Sequence, residues 1–194
     1  RFSEKVTETG GRLQSIPIGA GALTGPTQES LSIDVGFWGP ENGPTLLLSS
    51  GLHGIEGYCG SGIQLAAMEK QYPDELKRIF VHALNPYGMA HIRRVNENNV
   101  DLNRNFIFPP QGFEGCSEGY HKLNSLLNPA KPFQGIEFSA IIKTVFTILK
   151  HGMPALKQAV ASGQYAYPKG LFFGGKQLEE GPKKIMAALE EWLP

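Results

Sequence analysis

Three short strings in this chain hold residue types that could do chemistry together. The first is Gly51-Leu52-His53-Gly54-Ile55-Glu56-Gly57. An imidazole and a carboxylate three residues apart, on a turn entering a helix, project to one side and can grip one cation from the same direction. The flanking glycines let the backbone bend tightly there. The second string is Asn85-Pro86-Tyr87-Gly88 followed by Arg93-Arg94-Val95-Asn96, and the third is Val100-Asp101-Leu102-Asn103-Arg104-Asn105-Phe106. Guanidinium groups on a short loop supply planar, bidentate forks for a carboxylate or a developing oxyanion. Taken one at a time these signals are weak. His-x-x-Glu recurs by chance, and a loop arginine reads equally well as solvated charge with Asp101 as its partner.

The elements around the strings put them in one kind of place. Leu31 to Trp38 alternates apolar with polar or small residues and stops at Gly39-Pro40, which predicts a strand and a turn. Thr45 to Ser50 is short, apolar and bounded by Gly43-Pro44 and Gly51, the pattern expected of a strand buried on both faces. Tyr58 to Gln71 carries apolar residues at helical spacing and is limited by Pro73. Ile79 to Leu84 predicts another buried strand, closed by the turn at Asn85-Pro86. Strand, helix, strand in that order implies a crossover unit. The fold class is therefore α/β, a three-layer α/β/α sandwich around a mostly parallel or mixed sheet. In such sheets ligands bind beyond the carboxyl ends of the strands, where the first two strings lie. Further on, Phe138 to Lys150, Met153 to Ser162 and Pro182 to Leu193 read as helices, with Gly170 to Gly175 a loop.

Taken in order, the three strings resemble the zinc carboxypeptidases, over roughly the stretch from Leu46 to Phe106. The Asp-Leu-Asn-Arg-Asn-Phe string after a His-x-x-Glu is the specific part of the likeness. Gly163-Gln164-Tyr165 and Pro168 to Gly175 look like a bacterial branch of that superfamily known only as a domain of unknown function. The resemblance implies a zinc-dependent hydrolase that cleaves an amide bond next to a free carboxylate by a metal-activated water. Within it His53 and Glu56 match the first two zinc ligands, and Arg94 matches the arginine that polarises the scissile carbonyl, with Arg93 as fallback. Asn103 and Arg104 match the pair that holds the substrate's carboxylate. Deacylation of N-acyl amino acids on the same fold stays open, as does a catalytically inactive domain that binds carboxylates.

The family's site also needs a third ligand, usually a His after another buried strand, and a general-base Glu. Neither is evident. His82, His91, His121 and His151 are the remaining histidines, and none follows a strand of the expected kind. A single, partial domain over residues 1–194 is the simplest expectation, with loss of the ligand as the alternative and His151 as a poorer substitute.

Composition narrows the remaining classes. Lys plus Arg equals Asp plus Glu at 18 each, so no global field points to nucleic acid or an anionic membrane. The expected partner is a peptide or N-acyl amino acid bearing a free carboxylate. Two cysteines in a chain with 41% hydrophobic residues read as buried thiols in a reducing compartment, which favours the cytoplasm. Gly170 to Gln177 fits phosphate-loop spacing until Gln177 stands where a hydroxyl should hold magnesium. With Gly181-Pro182 close behind it, the loop lacks the helix N-terminus that binding a phosphate needs.

Overall fold

The computed structural model describes residues 1–19, 23–129, 142, 145–146, 152–154, 157–158 and 161–193. These form two compact units, Arg1–Asn98 with Leu178–Pro194, and Asn99–Gln177. The expected helices over 138–150 and 153–162 lie largely outside the described residues, as does His151.

The first unit is a mixed sheet between helices. Its strands are β1 (Arg12–Pro17), β2 (Ser32–Trp38), β3 (Thr45–Ser49) and β4 (Lys77–His82). They lie in the order β1-β2-β4-β3, with β3 parallel to β4 and the other pairs antiparallel. Helices α1 (Phe2–Glu8) and α2 (Gly57–Met68) cover one face. There Phe2, Val6 and Met68 pack with Trp38 and Phe80 of the strands. The opposite face carries Ile33, Val35, Ile79 and Val81, all but fully buried. The helix from Glu180 to Trp192 lies on that side, with its Trp192 ring edge-on to Phe37 at 5.2 Å. Alternation along β2 decides this layering. Ile33, Val35 and Phe37 point one way, while Asp34, Gly36 and Trp38 point the other. The α/β/α sandwich with a mixed sheet is thus present within this unit.

One expectation about the sheet needs correcting. Thr45–Ser49 is not buried on both faces: Leu46 and Leu47 are exposed, because β3 stands at the edge of the described sheet with β4 on one side only. An apolar run reports which residues are apolar, not how many strands flank them. Helix α1 and strand β1 are among the elements with no counterpart in the sequence reading. Helix α1 is only seven residues long, and β1 is mostly exposed and therefore lacks an apolar stripe.

The second unit holds a one-turn 3-10 helix at Leu102–Arg104 and the helix α4 (Glu118–Leu127), capped by the Ser117 hydroxyl on the Tyr120 amide. The short helix α3 (Pro86–Ala90) belongs to the first unit, and Glu180–Trp192 is α5. Tyr120 is fully buried and donates to the carbonyl of Leu171 at 2.7 Å. Gln164, equally buried, links the loop: its main chain pairs with Phe172 and Gly174, and its side chain bonds Tyr167. The Gly170–Gly175 loop therefore spends backbone groups on its own unit that a phosphate cradle would need. Cys59 and Cys116 are both free thiols, and Cys59 is exposed rather than buried. Among the described residues no helix is long and apolar enough to cross a membrane.

Candidate functional site

Strand β3 delivers His53 to the sheet's carboxyl end. Beyond it the pairing with β4 continues, with Leu84 N donating to Ser50 O at 3.0 Å and Asn85 N to Gly51 O at 2.8 Å. Gly51 then turns the chain at φ +70°, a conformation that favours glycine. His53 caps a 3-10 turn over Gly54–Glu56 that runs directly into α2. This turn presents the imidazole and the carboxylate side by side: His53 Nδ1 lies 3.1 Å from Glu56 Oε2. His53 is buried at 8% exposure, whereas the Glu56 side chain is 64% exposed.

Arg94 reaches the same carboxylate from a separate loop. Its Nη1 is 3.6 Å from Glu56 Oε1, so the two carboxylate oxygens are divided between the imidazole and the guanidinium. Arg93, the fallback, instead lies over the Tyr87 ring at 5.7 Å. The loop is held by main-chain bonds, Gly54 N to Arg94 O at 3.3 Å and Ile55 N to Arg93 O at 3.0 Å. The approach is so close that a Cβ on Gly54 would run into the Gly88 backbone.

The donor pair can be tested against zinc. Zn–N and Zn–O bonds of about 2.1 Å at a tetrahedral angle put neighbouring donor atoms about 3.4 Å apart. His53 Nδ1 and Glu56 Oε2, 3.1 Å apart, stand close to that spacing. They supply two protein ligands where a catalytic zinc site uses three. Among the described residues no third His, Cys, Asp or Glu completes a group with them. His82 is bound up with Ser50 and Gln64, His91 lies on the carbonyl of Thr24, and His121 is 2.6 Å from the Tyr167 hydroxyl.

Asn103 and Arg104 lie in the second unit. The Asp101 carboxylate, fully buried, accepts from the Asn103 amide at 3.0 Å and so fixes the turn that carries them. The Asn103 side chain is exposed. Arg104 donates from Nη1 to Asn103 O at 2.8 Å and from Nη2 to Ala161 O, while its Nε is buried with no hydrogen-bond partner among the described residues. Asn105, in the same string, turns inward and donates to Gly174 O and Gln177 O. The functional signal in this string is thus interleaved with supports for its own turn.

A family model described as "Protein of unknown function (DUF2817)" matches residues 1–192. The chain belongs to that family. No curated protein matches it. Among solved structures, the crystal structure of the carboxypeptidase A from Helicoverpa armigera is similar at a TM-score of 0.39 and 13% identity, covering 93% of this chain and 57% of that one. This DUF2817 chain therefore spans little more than half the length of that protein. A likeness of that size carries no argument about activity.

Proposed function

We propose that this chain contributes part of the active site of a zinc-dependent hydrolase of the carboxypeptidase type, acting on an amide bond next to a free carboxylate. The observation that carries the reading is the convergence of His53, Glu56 and Arg94: an imidazole and a guanidinium, from separate loops, on the two oxygens of one carboxylate. His53 and Glu56 would hold the metal. Zinc, when bound at such a site, lowers the pKa of its water to about 7. Arg94 would donate to the scissile carbonyl oxygen as it gains negative charge, a task for which its planar guanidinium offers several donors. Asn103 and Arg104 are proposed to take the substrate's carboxylate, a role supported by the family resemblance.

Zinc titration against a chromophoric chelator tests the metal site directly. The wild-type chain should bind zinc weakly, having two matched ligands, and His53→Ala and Glu56→Ala should each abolish uptake. Unchanged zinc content in both variants would exclude the site. Assays with peptides, their C-terminal amides and N-acyl amino acids then separate a peptidase from a deacylase, and ligand binding without turnover identifies a carboxylate-binding domain.

A further inference from the structure

The Asn85-Pro86-Tyr87-Gly88 string has no part in the chemistry assigned above, yet Asn85 is among the most deeply buried polar residues, at 1% exposure. Its contacts reach three places at once. The main-chain N–H donates to Gly51 O at 2.8 Å, at the strand end that leads into the His53 turn. Side-chain Oδ1 accepts from the Gly88 amide at 2.8 Å and caps α3. Side-chain Nδ2 donates to the carbonyl of Arg94 at 3.3 Å, the same carbonyl that takes the Gly54 amide.

We propose that Asn85 is a positioning residue of the site: its amide group holds the Arg94 backbone against the Gly54–Ile55 turn and so sets where the guanidinium stands on Glu56. Residue chemistry singles out asparagine here. A helix cap needs only an acceptor, and Asp or Ser supplies one about as well as Asn. Joining the cap to a carbonyl nine residues on needs a donor as well, and Asn is the short side chain whose amide offers both in fixed geometry. Burial removes water as a stand-in donor, so the link depends on the side chain itself.

Asn85→Ser and Asn85→Asp in the full 194-residue chain separate the two duties, since both keep the cap acceptor and lose the amide donor. One shortens the side chain and the other adds a charge, so an effect common to both belongs to the missing donor. Amide hydrogen exchange should stay within about threefold of wild type at Gly88 and become about tenfold faster at Gly54 and Ile55. The second readout, zinc affinity by chelator competition, rests on the metal-site reading above and should weaken about tenfold, as for lost outer-shell supports. Wild-type exchange at Gly54 and Ile55, or equal loss of protection at all three amides, would overturn the clamp. Faster exchange at those two positions with unchanged zinc affinity would overturn its role in the site. If the wild-type chain takes up no zinc, the metal-site reading fails, and the exchange pattern alone then decides whether Asn85 clamps the loop.

Discussion

Two one-turn 3-10 helices carry the residues with chemical potential, and they are stabilised in opposite ways. The turn at Gly54–Glu56 has no side-chain cap and is held from outside, by carbonyls of Arg93 and Arg94 and by close approach to Gly88. The turn at Leu102–Arg104 is held largely by side chains of its own string: Asp101 caps it, and Asn105 ties its exit to the carbonyls of Gly174 and Gln177. In the first, glycines and main-chain bonds do the holding, and the side chains of His53 and Glu56 meet each other. In the second, Asp101 and Asn105 are fully buried supports, leaving Asn103 and Arg104 as the candidates for ligand binding. Polar residues clustered in a motif are therefore not equivalent, and their hydrogen-bond partners show which of them hold the turn.

That contrast can be broken most sharply at Gly54. Gly54→Ala should cost about 3 kcal/mol of unfolding free energy, since neither backbone can yield without losing the bonds between them. A urea melt within about 0.5 kcal/mol of wild type would mean that the turn is not held from outside. At the second turn, Asn105→Ala takes the side-chain donor from the buried Gly174 carbonyl and from the Gln177 carbonyl and should cost about 2 kcal/mol by the same measurement. Arg104→Ala should fall on the other side of the division. Its effect on stability should stay under about 1 kcal/mol, while calorimetry should show a ligand with a free C-terminal carboxylate binding about 1.5 kcal/mol more weakly. Equal wild-type affinity for the amidated ligand would remove Arg104 from the binding site.

The smallest expected effect is a pH dependence beneath the first turn. Burial lowers the pKa of His82 from 6.5, with Asp34 pulling weakly the other way. The folded state then binds fewer protons than the unfolded one, so this contribution to stability is complete above about pH 6.5 and is lost as the pH falls below it. His82→Gln should flatten the slope of melting temperature between pH 7 and 5 relative to wild type. Parallel slopes would show that His82 contributes nothing to the acid response.

Much of the first unit could be read from the chain. Period-two alternation over Leu31–Trp38, the apolar runs before Gly51 and Asn85, and the uncharged helix between them fixed strands β2, β3 and β4, helix α2 and the mixed α/β class. The pairing of His53 with Glu56 was legible in a turn spacing, a local feature, whereas Arg94 came only from the family resemblance, with Arg93 as fallback. Helix α1 and strand β1 escaped: the one is too short for an apolar period to register, and the other exposes most of its side chains. The role of Asn85 escaped too, since a turn signal accounts for its cap on Gly88 but says nothing of a carbonyl nine residues away.

The sequence by itself determined which groups are present and, through local periodicity, which elements carry them. Tertiary structure alone decided that Arg94 rather than Arg93 meets Glu56, that Asp101 and Asn105 are supports, and that β3 lies at the edge of the described sheet. Each of these depends on which segments, distant in the chain, come within bonding distance. Hydrogen bonds and burial act over a few ångströms in space, and the spacing of residues along a sequence does not encode that distance.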